Sequence, residues 1–331
     1  MSNRKKFFLK LIIVIVLIAI IIYTFKGSLG DIVAEIADTK PYIVAAICAS
    51  SVIYHVFEAW ITFSLARRYN PRFKFREAMY CAFYCSFYRL STLGSGAGVA
   101  AVVYLGHKGV GYFEATGLYM IQYVVHKVGI AIFSGIFFLI NWKTMYAYFK
   151  DYAFYLIAAY VITVLIAIAL VLFAVSKKFH TLIIYLGKKL NRSGKLDEGL
   201  KSLEKNCAIM EKSAKELLTN AKIVISMWLK TTVKLMFWYI IPFIVLGSSG
   251  VISPVDSWSV TSLAIMSAAV IPTPAGIASS ELVMTALYSR IVEVYQAAAV
   301  TVLYRFATFI FPFIFGGVLI LIAKIVRAAR R

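Results

Sequence analysis

An ionisable group at the centre of a membrane helix costs about 2.5 to 3.5 kcal/mol on insertion scales, so charges inside apolar runs normally face a polar interior and do work there. Arg89, Lys127, Lys230, Lys234 and Arg305 lie inside such runs, together with Glu58, Glu281, His55 and His126. The five cations outnumber the two carboxylates. Pairing within the set leaves positive charge over, which suits an anionic ligand such as a phosphate. Two structural readings stand beside that one. Long side chains snorkel to the interface, a role that fits Lys230, near the start of its run. Lys234, one turn deeper on the same face, Lys127 and Arg305 lie farther inside their runs, and pairing with Glu58 or Glu281 is the structural alternative for all five cations. Glu281, seven residues after Pro274, can hold a cation, meet an ammonium group or complement the start of a helix.

Other chemistry is thinly represented. The sequence has no P-loop, no Gly-x-Ser-x-Gly, no His-Glu-x-x-His and no metal-ligand cluster among its four histidines, so neither ATP-driven work nor a cofactor or metal is expected. Cys81 and Cys85 share a helix face at i,i+4, but the four cysteines form no Cys-x-x-Cys pair and read as small buried thiols. Residues 91 to 98, STLGSGAG, are the more informative pattern. Gly costs roughly 1 kcal/mol in a helix interior, and broken backbone at membrane depth is tolerated only beside protein or a water-filled cavity.

The elements that must carry these residues are membrane helices. A chain with 61% hydrophobic residues and a mean hydropathy of +0.82 is an all-α polytopic membrane protein. The net charge of +20 sits mostly in loops flanking the apolar runs, where it marks topology and draws anionic lipid; no nucleic-acid partner is expected. Six spans are predicted, over 7 to 25, 41 to 66, 117 to 140, 152 to 175, 222 to 247 and 298 to 323. The first follows Arg4-Lys5-Lys6 and lacks a small-residue cleavage site, so it reads as an uncleaved helix. Two segments remain, 78 to 106 and 257 to 289; the second contains IPTPAGIASSE.

Charge decides how those two behave. Arg67, Arg68, Arg72, Lys74 and Arg76 crowd one loop, and the connector from 176 to 221 holds ten more basic residues, so both belong to the cytoplasmic side. Residues 26 to 40, 141 to 151 and 248 to 256 are poor in Lys and Arg. A single crossing by 78 to 106 would put the connector outside, whereas a hairpin that dips in and returns keeps it inside. By the same parity 257 to 289 enters and leaves from the outer face. The expectation is six spans plus two re-entrant helical hairpins from opposite faces of the cell membrane, with both termini cytoplasmic. The connector mixes Lys and Glu with spaced Leu and Ile, as an interfacial or tethering helix does.

An internal repeat fits this plan. Ser91-Thr92-Leu93 and Pro272-Thr273-Pro274 each open a small-residue run, and Tyr112-Phe113-Glu114-Ala115 resembles Val294-Tyr295-Gln296-Ala297 about 182 residues on. Paired broken helices in two halves point to an inverted repeat with a site between them. The chain then reads as one domain over 1–331, with a first half to about 150, the connector, and a second half from about 222. Thr92, Gly94, Gly96 and Gly98 would shape the first hairpin, and Pro272, Pro274 and Gly276 the second.

The stretches FYRLSTLGSGAGVAAVVYLGHKGV and AAVIPTPAGIASSELVMTALY resemble the lysylphosphatidylglycerol synthase transmembrane, or flippase-like, family, and the similarity spans essentially the whole chain. The Pro-x-Pro-x-Gly followed by Glu is its most specific element. Two departures stand out: Ala275-Gly276 replaces the usual Gly-Gly, and Thr92-Leu93 stands where many members have Thr-Pro. The family includes the membrane part of the multiple peptide resistance factor, whose cytosolic synthase makes aminoacylated phosphatidylglycerol. The resemblance implies transfer of an anionic or aminoacylated phospholipid between leaflets, not an enzyme. The sequence stops at RAARR after its last helix, so no synthase domain is expected; the chain would work alone or with a separate lipid synthase. Small-residue faces also permit a homo-oligomer. Arg89, Lys127, Lys230, Lys234 and Arg305 would then contact the headgroup, with Glu58, His126 and Glu281 as polar partners. Two other functions are kept: an intramembrane enzyme on a lipid-linked substrate, using His126 or Glu114, and a non-transporting membrane partner.

Overall fold

The structure is a computed structural model and describes residues 29–191, 197–218, 220–247, 250–271 and 273–329. The predicted first span at 7 to 25, Pro272 and the basic N-terminal cluster lie outside the described residues. No strand occurs among the described residues. A short helix α1 (Leu29–Ala37) leads to α2 (Pro41–Ala66), which opens with proline at its first position, where the missing N–H costs nothing. Next come α3 (Phe75–Ser91) and α4 (Ala97–His107), then the long α5 (Tyr112–Ile140). The first part closes with α6 (Trp142–Phe149) and α7 (Ala153–Val175). The connector forms α8 (Lys177–Leu190) and α9 (Asp197–Leu218). The second part contains α10 (Ala221–Tyr239), α11 (Ile241–Leu246), α12 (Pro254–Ala268), α13 (Ser279–Tyr288), α14 (Val294–Arg305) and α15 (Phe311–Ala328).

Among the described residues, five helical stretches are long and apolar enough to cross a membrane: Pro41–Ala66, Tyr112–Ile140, Trp142–Phe173, Ala221–Leu246 and Val294–Val326. They coincide with the last five of the six predicted spans. Two of the stretches poor in Lys and Arg contain helices, α1 and α6. Low charge marks the side of a membrane and says nothing about backbone, and Ile32, Met145 and Phe149 bury their side chains in these short helices.

The two leftover segments each fold as helix, turn, helix. In α3–α4 the break falls at Thr92–Gly96; in α12–α13 it spans Ala269–Ala278 and holds a single 3-10 turn at Pro274–Gly276. Both begin with the same device, an acid in the third helical position bonding the N–H of the capping residue. Glu77 accepts from Lys74 N at 2.9 Å, and Asp256 accepts from Ser253 N at 2.8 Å. Helix α3 packs on α15, where a side chain at Gly316 would strike the Phe83 carbonyl, and α12 packs on α5. Helices α2 and α10 pack against each other at the centre.

The connector is not a loose tether. Helix α9 lies along α5, α7 and α8. Leu182, Tyr185 and Leu186 of α8 are exposed, with Lys178 and Lys189 on the same face, the pattern of an interfacial helix.

Candidate functional site

Three polar stripes converge inside the first part of the bundle. On α2 they are Tyr54, His55, Glu58 and Thr62; on α3, Cys81, Cys85, Ser86 and Arg89; on α5, Tyr119, Gln122, Tyr123 and His126. Each stripe follows the three- and four-residue spacing that keeps side chains on one helix face. They line a cavity of about 70 Å³ in a region that is otherwise apolar.

Most of its polar groups are already satisfied. Glu58 pairs with Lys234 through one oxygen, and the other accepts from Gln122 Nε2 at 2.6 Å. Lys234 reaches from α10, is 1% exposed and lies over the Tyr54 ring at 5.3 Å. His55 has Nδ1 at 2.8 Å from the Ser51 carbonyl and Nε2 at 3.0 Å from the Ser86 hydroxyl. A carbonyl only accepts, so Nδ1 carries a proton. The hydroxyls of Tyr54, Tyr119 and Tyr123 have no partner among the described residues, and two nitrogen groups stand with them. The Arg89 guanidinium has no hydrogen-bond or ion-pair partner among the described residues. His126 Nδ1 is buried without one.

The other expected site residues divide by place. Lys127 sits over the Tyr123 ring at 5.6 Å, at the cavity edge. Lys230 donates to Ser64 Oγ at 2.8 Å and covers Trp60 at 4.9 Å, as a snorkelling lysine does, and does not line the cavity. Arg305 and Glu281 form a second polar centre in the other half. Arg305 Nε donates to Glu281 Oε1 at 2.8 Å, and its guanidinium covers Phe309 at 4.3 Å. The Ser280 hydroxyl has two acceptors for its one proton, the Gly276 carbonyl at 2.5 Å and Glu281 Oε2 at 3.0 Å. A π turn, Phe306–Ile310, follows Arg305 directly, a distortion that often marks functional positions. Glu114 lies in the first turn of α5 and does not line the cavity. Among the described residues no cluster suited to a metal occurs.

The turns between the paired helices are strained in the same way. Leu93 and Gly94 have φ of 50° and 95°, and Ala275 and Gly276, 182 residues on, have φ of 58° and 70°. Leu93 occupies the place where the resemblance would put proline, and a ring locked near −65° cannot take that φ. Thr92 anchors the first turn by accepting from Gly96 N at 2.6 Å. Thr273 holds the second through Ser279 at 2.7 Å, and Gly98 lets α4 lie against Tyr119. At the hairpin starts, outside the spans, desolvation pushes the Glu77 carboxyl up, but Lys74 N–H and Lys108 outweigh it and hold the group below its ordinary range. Asp256 is held low in the same way by Ser253 and Asn141 against desolvation.

Sequence reasoning found the charges but missed Tyr54, Thr62, Ser86, Tyr119, Gln122 and Tyr123. The signal was available on α5, where Tyr119, Gln122, Tyr123 and His126 repeat at helical spacing within an apolar run.

Fold and site together define a polytopic helical membrane protein with a polar, cation-bearing cavity among its helices. Residues 7–316 match the family described as the lysylphosphatidylglycerol synthase TM region, and the chain belongs to it. No curated protein matches the chain.

Proposed function

We propose that this protein moves phospholipid between leaflets: an anionic or aminoacylated headgroup passes through the polar cavity while the acyl tails remain in lipid. The observation that carries the reading is Arg89, whose guanidinium has no hydrogen bond or ion pair among the described residues, lining a cavity inside an apolar bundle. An unneutralised charge in that setting is expensive unless a ligand or water meets it. The family adds a link to lysylphosphatidylglycerol. Phosphatidylglycerol and its lysyl derivative are the natural first substrates.

In this reading α3–α4 and α12–α13 are re-entrant hairpins entering from opposite faces, and the two halves form an inverted repeat. Contacts exchanged between α2 and α10 support the repeat. These helices begin 180 residues apart, at Pro41 and Ala221, and the same offset relates Tyr54 to Lys234 and Glu58 to Trp238. Glu58 pairs with Lys234, and Tyr54 stacks on Trp238 with centroids 3.5 Å apart; a two-fold axis swaps one contact for the other. The packing of α3 on α15 and of α12 on α5 is exchanged likewise.

The protein is read as a transporter in the cytoplasmic membrane, its lipid supplied by a separate synthase or the bulk membrane, and not as an enzyme. An enzyme on a lipid-linked substrate would rest on His126 alone, since Glu114 does not line the cavity. Leaflet exchange in proteoliposomes decides between them. Fluorescent phosphatidylglycerol or lysyl-phosphatidylglycerol should become accessible to an outer-leaflet quencher faster than in protein-free vesicles, with the lipid chemically unchanged. A changed lipid product without exchange would sink the transport reading.

A further inference from the structure

We infer that the headgroup this cavity accepts is a singly charged phosphodiester bearing neutral hydroxyls, and that it discriminates against aminoacylated and diphosphate headgroups. The inference rests on the transport reading and narrows its substrate.

Charge counting carries the argument. An aminoacyl headgroup brings ammonium groups that need a free carboxylate. Among the described residues Glu58 is the acidic side chain lining the cavity, and it is neutralised by Lys234 on one oxygen and bonded by Gln122 on the other. Glu281, in the other half, is neutralised by Arg305 through Oε1. Neither is left to meet an amine, and the unpaired Arg89 would repel one. A diphosphate or phosphomonoester errs in the other direction. A monoester carries about −1.5 to −2 charges at neutral pH, whereas the described residues that line the cavity offer one cation free of a carboxylate, with Lys127 a ring away at the edge. A phosphodiester, with one charge, matches Arg89 one to one, and the guanidinium fork suits two of its oxygens.

The neutral groups point the same way. Tyr119 and Tyr123 line the cavity with hydroxyls that have no partner among the described residues, and His126 Nδ1 is buried there without one. These groups exchange hydrogen bonds with alcohols and carry no charge to hold an amine. The cavity volume of about 70 Å³ is near half of the roughly 150 Å³ that admits a benzene ring. That is room for one phosphate with an adjoining hydroxyl rather than for two phosphates and a sugar.

The test is exchange in proteoliposomes for four labelled lipids carried in the same host vesicles: phosphatidylglycerol, lysyl-phosphatidylglycerol, phosphatidylethanolamine and a polyprenyl diphosphate. Soluble glycerophosphoglycerol is added in a parallel arm. Phosphatidylglycerol should exchange about ten-fold or more faster than the other three, the ratio expected for one charge-assisted contact. Arg89→Gln should lose that advantage, while Arg89→Lys, which keeps the charge, retains part of it and reports that the fold survives. Soluble glycerophosphoglycerol in excess should leave the rate unchanged, since a lipid is the source of the phosphodiester; inhibition would assign the site to a free phosphodiester and overturn the lipid assignment. Exchange of lysyl-phosphatidylglycerol, phosphatidylethanolamine or the diphosphate at the phosphatidylglycerol rate overturns the specificity while leaving the transport reading intact. So does full phosphatidylglycerol selectivity in Arg89→Gln. Exchange of no lipid above protein-free vesicles overturns the transport reading itself.

Discussion

Gly94 and Ala275 touch: a Cβ built on Gly94 would lie 3.0 Å from the backbone nitrogen of Ala275 and 3.1 Å from its Cα. The tips of the two helix–turn–helix segments therefore meet backbone to backbone, and each does so in left-handed conformation. Only glycine reaches such an approach without displacing the neighbour.

Substitutions at this contact should act in opposite directions. Gly94→Ala adds a side chain against backbone and places it at φ 95°, a region that costs an L-residue roughly 1–2 kcal/mol; its thermal midpoint should fall. Ala275→Gly releases the strain at φ 58°, but glycine gives back about 0.4–1 kcal/mol of chain entropy, so the midpoint should hold or rise slightly. Thermal unfolding of both in detergent checks this. Equal midpoints for Gly94→Ala and the native protein would mean the tips do not need their contact.

The Glu58–Lys234 pair should behave as one unit. Lys234 is 1% exposed and Glu58 side chain 27%, so Lys234→Met strands a partly buried carboxylate. Breaking a buried pair costs about 3–5 kcal/mol, and replacing both partners by neutral groups costs far less; with Glu58 partly accessible, the lower end applies. The double variant Glu58→Gln with Lys234→Met should therefore melt well above Lys234→Met alone. Additive losses would show that the two residues act independently.

That pair also marks where the sequence stops being legible. Span positions follow from apolar length, and the last five of the six predicted stretches reappear. The helix breaks follow from glycine and proline. Which cation is spent on which carboxylate does not follow, because Glu58 and Lys234 are 176 residues apart and meet only through the packing of α2 on α10. Before that packing is known, Lys234, Arg305 and Arg89 are equivalent candidates; afterwards two are paired and Arg89 is not. Left-handed φ at Leu93 and Ala275 is equally silent, since neither residue type favours it.

Acid should loosen the hairpin starts. Glu77 and Asp256 have folded-state pKa values below their ordinary 4.5 and 3.8. A depressed carboxyl stabilises fully above its unfolded value, and the contribution disappears as pH falls through the folded value. The thermal midpoint should be flat from neutral pH to about 5 and drop below it. Replacing Glu77 by Gln and Asp256 by Asn should lower the neutral midpoint and flatten the acid decline. An unchanged acid slope in the double variant would place the sensitivity elsewhere.

The re-entrant reading makes a sidedness prediction that a plain spanning reading contradicts. If α3–α4 dips in and returns, Arg76 at its start and His107 at its end lie on one face; if α12–α13 does the same from the other side, Val251 and Glu293 share the opposite face. All four residues are exposed, so single cysteines there can be labelled without opening the bundle. In a variant with Cys48, Cys81, Cys85 and Cys207 replaced by serine or alanine, an impermeant maleimide applied to sealed, uniformly oriented vesicles should modify Arg76→Cys and His107→Cys together. It should modify Val251→Cys and Glu293→Cys only after permeabilisation, or the reverse set by orientation. Labelling of Arg76→Cys and His107→Cys from different faces would make α3–α4 a true crossing. The basic connector would then move to the other side of the membrane, against the charge asymmetry of the loops, and the opposed hairpins that the Gly94–Ala275 contact is proposed to join would not exist.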